Sequence, residues 1–216
     1  MRIWFRTAFY LFIFIGFSIA RAGAYEDFFK AVALDSPSLM NGLLERGFDP
    51  NTLDPRGQNA LFLAMREDSP KVAAVLLAHP GIRDDLANSA GETPLMMAAL
   101  KGRLEWVQRL LDRGARVDKD GWTPLHYAAT GPEPRVVLLL LDRGARPNAL
   151  APDGTTPMML AARQGALDAV PLLLERGADP RLLDQRGRSA ADYARSGGRD
   201  ALAAKLDALA GPRKTP

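Results

Sequence analysis

Histidine and cysteine most often carry nucleophilic and metal chemistry, and this chain has two histidines and no cysteine. His126 stands in the segment DGWTPLHYAA, and His79 stands in HPG. A general base needs an oriented carboxylate and a nucleophile, whereas Asp118 and Asp120 belong to a turn-forming KDG context. A zinc site needs more His or Cys ligands. Together with the lack of a glycine-rich phosphate loop, this predicts no catalytic residue, no metal site and no cofactor.

The residues around His126 recur along the chain. Thr123 opens TPLHYAA, Thr156 opens TPMMLAA 33 residues later, and Ser189 opens the weaker copy SAADYAR after another 33. A second phrase, LLERG or LLDRG, follows the first at a constant interval. It ends at Gly47, Gly114, Gly144 and Gly177. Self-similarity with this period is typical of a stacked-repeat architecture.

Each copy has the composition of a helix pair. Thr-Pro favours a helix start, because the hydroxyl caps free N–H groups and proline suits the first turn. In RLEWVQRLLDRG, Leu104, Val107 and Leu110 form one apolar stripe, and Trp106 is expected in the core. Gly114 then favours a left-handed helix end. One such pair cannot enclose its own apolar face, so the pairs must stack.

These phrases resemble the ankyrin repeat, with its D-G-x-T-P-L-H-x-A-A motif and a second helix ending L-L-x-x-G-A. The resemblance covers about residues 26–210. It implies an all-α ankyrin-repeat solenoid of helix-turn-helix units with hairpin loops. About six units, including the caps, are expected. They start near residues 26, 59, 93, 123, 156 and 189.

The departures from the repeat pattern are informative. The first unit lacks Thr-Pro and the last has Ala190 in the place of proline, which suits terminal caps whose outer faces meet water. The stretch from Gly114 to Thr123 is three residues shorter than the one from Gly144 to Thr156. A stubby hairpin is therefore expected ahead of Thr123.

The first 24 residues differ in kind from the rest. Arg2 and Arg6 precede an uncharged run at 8–20, and small residues follow. This layout is typical of a secretory signal peptide, and the run is shorter than the roughly 20 residues of a spanning helix. We expect residues 1–24 to be a signal peptide, cleaved after Ala22 or Ala24, and 211–216 to be a tail. An uncleaved N-terminal anchor is the alternative.

The net charge of +3 comes from the N-terminal segment. Residues 25–216 carry equal numbers of acidic and basic side chains, which argues against nucleic acid as a partner. A periplasmic or secreted bacterial protein is expected, with membrane attachment only if the N-terminal helix is retained. We expect a monomer.

In the ankyrin family, the motif histidine hydrogen-bonds to backbone and to the motif threonine, which assigns His126 a structural role. Partner contacts come from hairpin tips and from the exposed side of each first helix. That pattern selects a protein-binding set. The set is Arg56, Gln58, Arg66, Ser89, Glu92, Lys101, Lys119, Trp122, Tyr127, Thr155, Arg163 and Arg188.

Trp122 is the most informative member, because tryptophan dominates interface hot spots. It either faces a partner or packs on the adjacent hairpin, and Tyr127 is expected to flank it. The predicted function is a non-enzymatic protein–protein interaction module that supports or stabilises a partner protein. The alternatives are an immunity-type protein that neutralises a toxin, and a membrane-tethered adaptor.

Overall fold

The computed structural model describes residues 23–166 and 168–211, and within them the chain is built from helix pairs. The helices run in chain order from α1 to α12. Their bounds are α1 (residues 23–33), α2 Pro37–Glu45, α3 Ala60–Glu67, α4 Pro70–Ala78, α5 Pro94–Leu100, α6 Leu104–Asp112, α7 Pro124–Thr130, α8 Pro134–Asp142, α9 Pro157–Gln164, α10 Ala169–Glu175, α11 Ala190–Ser196 and α12 Asp200–Ala210. The predicted all-α repeat fold is confirmed, since the described residues add only the isolated bridge between Leu53 and Asn59.

Two compact units divide the chain between Arg83 and Asp84. The first unit holds α1 to α4, in which α4 packs on both α2 and α3. Phe28 and Met40 are fully buried in this unit, and the Phe28 ring lies 4.7 Å from that of Phe48.

The second unit holds the remaining four helix pairs. Its first helices pack in chain order, α5 on α7, α7 on α9 and α9 on α11. Its second helices form a parallel row, α6 on α8 and α8 on α10. The small residues make this close packing feasible, because a Cβ added to Gly165 would collide with the carbonyl oxygen of Ala129.

The threonine that precedes each proline starts its helix as predicted. Met96 N–H donates to Thr93 Oγ1 at 3.3 Å, and Met159 N–H donates to Thr156 Oγ1 at the same distance. Gly144 ends α8 with φ +93°, and Ala145 N–H donates to Leu140 O at 2.9 Å. This left-handed closure satisfies carbonyls that the helix end leaves free.

The prediction for Trp106 is wrong: its side chain is half-buried rather than part of the core. Val107 and Leu110 take the two fully buried positions of α6. Trp106 points to the side of that stripe, where the Arg109 guanidinium lies 4.8 Å from its ring centroid. The Trp106 ring is thus partly covered and partly exposed to solvent.

Candidate functional site

The hairpin ahead of each first helix places one variable residue directly before the helix cap. In four of the five hairpins the backbone closes a short loop, as where Asp184 N–H donates to Arg188 O at 3.0 Å and Gly187 N–H donates to Asp184 O at 2.9 Å. The variable residue then leads into the cap. These residues are Gln58, Glu92, Trp122, Thr155 and Arg188.

His126 lies completely buried at the start of α7 and uses both ring nitrogens. Nδ1 lies 2.9 Å from Thr123 Oγ1 and accepts from Thr123 N–H at 3.2 Å, while Nε2 lies 3.0 Å from Thr155 O. The bonding pattern assigns the proton to Nε2, which donates to that carbonyl. The imidazole therefore joins two repeats and has no free site for chemistry, which confirms its structural role.

Burial sets the charge state of this imidazole. Burial lowers the pKa of His126, and its effect outweighs the hydrogen bond to Thr155 O and the charges of Asp118 and Asp153, which raise it. The ring is therefore neutral near pH 7, as the two hydrogen bonds require.

Neighbouring repeats fill the His126 position with different acceptors. Met96 Sδ accepts from Thr93 N–H at 3.4 Å, and Met159 Sδ accepts from Thr156 N–H at 3.4 Å. In the last repeat the Asp192 carboxylate takes this part. Capping is the common role of the position, so the histidine is one solution among several.

Metal chemistry finds no support in the part of the chain that the structure describes. No group of three His, Cys, Asp or Glu side chains gathers among residues 23–166 and 168–211. The second histidine, His79, ends α4, where its Nδ1 accepts from Gly81 N–H at 3.1 Å.

Trp122 stands at the end of the hairpin that leads into the fourth repeat, with 38% of its surface exposed. Its ring meets the His126 ring edge-on, with centroids 5.3 Å apart and planes at 73°. The tryptophan thus rests on the first helix of its own repeat and keeps one side open to solvent. An aromatic surface held this way loses little side-chain freedom when a partner covers it.

The arm that enters this hairpin is three residues shorter, so Asp118 aligns with two different positions of the later hairpins. In the fifth repeat, Asn148 Oδ1 accepts from Asp179 N–H of the next repeat at 2.8 Å, and in the last hairpin Asp184 Oδ1 accepts from Arg188 N–H at 2.9 Å. Asp118 makes the contact to the next repeat, and within its own hairpin it bonds to the adjacent residue. It accepts from Lys119 N–H at 2.9 Å and from Arg146 N–H of the next repeat at 3.2 Å.

Tyr127 and Glu92 pair across two repeats of the second unit. The Tyr127 hydroxyl donates to Glu92 Oε1 at 2.7 Å, and Asn88 Nδ2 donates to Glu92 Oε2 at 2.8 Å. Burial, followed by the Glu92 hydrogen bond and charge, raises the pKa of Tyr127 well above its usual value. Lys119 is also engaged, since its Nζ donates to Gly91 O at 2.8 Å.

Thr155 requires a correction, because it was placed among the partner contacts and only 2% of its surface is exposed. Tyr193 of α11 covers it, and the two hydroxyls lie 3.1 Å apart. Tyr193 also donates to the buried Asp184 carboxylate at 2.9 Å and accepts from Arg188 Nη2 at 2.9 Å. A large side chain in the next repeat thus turns a surface position into an inter-repeat junction.

The other predicted positions vary in how free they are. In the first unit, Arg66 Nη1 donates to Gln58 Oε1 at 2.7 Å and Arg66 Nε donates to Glu67 at 2.7 Å. The remaining predicted residues of this group are exposed. They are Arg56, Ser89, Lys101 and Arg163.

Tyr193 and two exposed leucines lie outside the set of site residues that the sequence predicts. Tyr193 stands at the same motif position as Tyr127, and this alignment would have identified it. Leu150 and Leu183 are about half exposed, at 54% and 50%, six residues after Gly144 and Gly177 respectively. Because the two leucines occupy matching positions on two hairpin arms, the repeat alignment could have predicted that both are exposed.

Comparison with protein families and curated proteins agrees with this architecture. A family model described as ankyrin repeats (3 copies) matches residues 28–119, 80–151, 117–184 and 133–206. The chain is 40% identical over 91 residues to the human B-cell lymphoma 3 protein, an alignment that covers 41% of this chain and 20% of that protein.

Two further relatives show the same partial coverage. A putative ankyrin repeat-containing protein of Treponema pallidum is 34% identical over 92 residues, which is 42% of this chain and 31% of the relative. The glycerophosphocholine phosphodiesterase gde1 of Schizosaccharomyces pombe is 38% identical over 94 residues, which is 41% of this chain and 8% of the enzyme. The chain thus aligns with less than a third of each of these relatives.

The predicted signal peptide at 1–24 lies almost wholly outside the described residues. Across residues 23–166 and 168–211, no helix has both the length and the apolar composition that crossing a membrane requires.

Proposed function

Because the chain belongs to the ankyrin-repeat family, we propose that it is a non-enzymatic binding module of the bacterial periplasm, where it supports or stabilises a partner protein. Ankyrin repeats generally mediate binding to other proteins, and the family is typically non-enzymatic. The finer parts of this proposal are the compartment and the accessory role, which depend on the N-terminal segment and on the surface of the second unit.

The half-exposed Trp122 carries the binding part of the proposal. It is a large aromatic side chain fixed on the buried His126 ring, at a position where the family contacts its partners. Aromatic residues of this kind contribute disproportionately to interfaces. Since the capped Thr123 and α7 hold the hairpin in place, the surface is formed before a partner arrives.

The alignment with the phosphodiesterase does not transfer an activity to this chain. It covers 8% of that enzyme. His126, the residue best suited to chemistry, is buried with both nitrogens bonded. Binding without a chemical step therefore remains the function that the described residues favour.

The binding test compares envelope proteins captured by the wild type and by Trp122→Ala at equal bait concentration. We expect a specific partner whose affinity falls by about 2 kcal/mol in the variant. Leu53→Ala is a matched control, because it also removes an exposed apolar side chain from a hairpin, and Leu53 lies in the first unit. Equal capture by all three baits would refute the assignment of the binding surface to Trp122.

The identity of the captured partner separates the accessory role from the alternative of an immunity-type protein. An accessory protein should slow the thermal inactivation of a periplasmic enzyme, and removal of the chain should lower that enzyme's steady-state level. A toxin partner that loses its activity on binding would instead support the immunity function.

The compartment is tested by cell fractionation and by mass spectrometry of the purified protein. Periplasmic material whose chain begins at Gly23 or Tyr25 supports export with cleavage. A membrane-bound chain that retains residues 1–22 would support the tethered adaptor instead.

A further inference from the structure

Most charged side chains on the first-helix side of the last two repeats have a partner. Arg188 pairs with the buried Asp184 at 2.8 Å. Arg195 pairs with Asp192 at 2.9 Å and also with Asp207. These contacts pair both arginines with carboxylates, so an arginine on this side without such a partner differs from them.

The C-terminal end of α9 is satisfied by a different arginine. Arg199 Nη1 donates to Ala161 O at 2.7 Å, to Ala162 O at 3.1 Å and to Gly165 O at 3.2 Å. Arg163, which lies in the last turn of α9, is therefore not required to cap those carbonyls.

Arg163 itself is exposed and lies 5.7 Å from the centroid of the Tyr193 ring. No carboxylate lies within ion-pair distance of it among the residues that the structure describes. The Tyr193 ring is only 3% exposed and is fixed by Thr155, Asp184 and Arg188. A flexible cation is thus held against a rigid aromatic surface.

An arginine placed in this way suits a carboxylate. The planar guanidinium can donate two parallel hydrogen bonds to one carboxylate, and the ring contact limits the side-chain freedom that binding would cost. The Arg188 guanidinium, 4.6 Å from the same ring centroid, adds positive charge that Asp184 offsets. The site therefore offers one uncompensated cation beside an aromatic ring.

We propose that Arg163, held over Tyr193, is the anchor for an Asp or Glu side chain in an acidic segment of the partner protein. This inference depends on the proposed binding function and assigns the chemistry of one contact within it. Trp122 supplies the apolar contact from a hairpin, and Arg163 supplies the ionic contact from the first helix α9, within the same four-repeat unit.

The test selects a library of random displayed peptides on the full chain at low salt. We expect the selected peptides to be enriched in Asp and Glu, and Arg163→Gln to weaken them on the order of tenfold. Arg116→Gln is the matched control, because Arg116 is also exposed but already paired with Asp85 at 3.1 Å. It should leave affinity unchanged.

Two further measurements separate binding from folding. Arg163→Lys should recover part of the lost affinity, because it keeps the charge but lacks the planar fork. The Arg163 Nε–Hε resonance should shift when a selected peptide is added. A purely structural role would move the melting temperature of Arg163→Gln and not this resonance.

The outcomes also separate this inference from the proposed function. Peptides that are lost with Trp122→Ala, but bind Arg163→Gln as tightly as the wild type, would overturn the carboxylate anchor and keep the binding surface. Selected peptides without acidic enrichment would overturn the anchor as well. A selection that yields no peptide would count against both.

Discussion

Side chains from the fourth and the last repeats reach the same residue from opposite sides. In the fourth repeat, the His126 imidazole extends forward to Thr155 O at 3.0 Å. In the last repeat, the Tyr193 hydroxyl extends back to Thr155 Oγ1 at 3.1 Å. One threonine therefore joins three repeats through its backbone and its side chain, although its motif position is one that often contacts partners.

The hairpins that lead into these two repeats expose different residues because the buried side chains beside them differ. His126 packs against Trp122, and Tyr193 packs against Arg188. The imidazole leaves room for Trp122 to pack edge-on and remain partly exposed. In the last repeat, Tyr193 stands one motif position further along its helix than His126, and its hydroxyl donates to the buried Asp184, which also pairs with Arg188 at the surface. The buried side chain beside each hairpin thus determines whether the hairpin presents an apolar or a charged residue.

The largest effect in this comparison is expected from a substitution in the core of the fourth repeat. Leu125 is fully buried in α7, whereas the last repeat already has Ala191 at the same motif position. Leu125→Ala should lower the free energy of unfolding by about 2–5 kcal/mol, because it leaves a cavity. Denaturant titration measures the change, and Leu150→Ala, an exposed leucine, should stay within about 0.5 kcal/mol. A small loss at Leu125 would show that the helix can close over the gap.

The next test removes the hydroxyl that ties the last hairpin. Tyr193→Phe should cost about 1–3 kcal/mol, because the buried Asp184 carboxylate loses a donor. Tyr127→Phe is the parallel change in the fourth repeat and should cost less, since Tyr127 is half-buried. Equal losses from the two variants would mean that the junction at Thr155 adds nothing to the last repeat.

The stability contributed by His126 and that contributed by Asp184 should depend on pH in different ranges. The pKa of His126 in the folded protein lies below 6.5, mainly because of burial. Below pH 6.5 the unfolded chain gains a proton that the folded chain resists. The stability contributed by neutral His126 is therefore complete above that value and declines as the pH falls through the folded pKa.

The stability contributed by Asp184 is also lost as the pH falls, but at lower pH. Burial alone would raise its pKa, but hydrogen bonds from Arg188 backbone and side chain, Tyr193 and Arg186 lower it from 3.8 to about 2. Its contribution should persist until the pH falls below 3.8 and disappear as the pH passes through about 2.

Hydrogen exchange measured against pH can separate these two ranges. Protection of α7 should decline first, and protection of α11 should persist to lower pH. His126→Met should flatten the first decline, because methionine performs the cap in the adjacent repeats without titrating. His79→Gln should retain the decline. If the decline disappears in that variant, it arises from His79 and not from His126.

The smallest effect is expected from the ion pairs that cross between repeats at the outer edge. Arg143 pairs with Asp112 at 2.9 Å, and both side chains are substantially exposed. Arg143→Gln should change the free energy of unfolding by less than about 1 kcal/mol, because solvent screens such pairs. A larger loss, absent at high salt, would show that the edge contributes to repeat cohesion as much as the Thr155 junction does.

The sequence alone was sufficient for the repeat, its period and its helix caps. Thr-Pro, the paired alanines and the glycine after each second helix act through local backbone preferences, so their positions predict helix starts and ends directly. The structural role of His126 followed from the motif as well, because its Nδ1 partner lies only three residues away.

Only the tertiary structure decided which variable positions are free. Thr155 and Trp122 occupy the same place in their hairpins, but Tyr193 of the next repeat covers Thr155, whereas 38% of the Trp122 surface stays exposed. Trp106 was likewise moved out of the core by the packing of Val107 and Leu110. Exposure depends on side chains about one repeat away in sequence, so a local pattern specifies the helices and packing between repeats determines the surface.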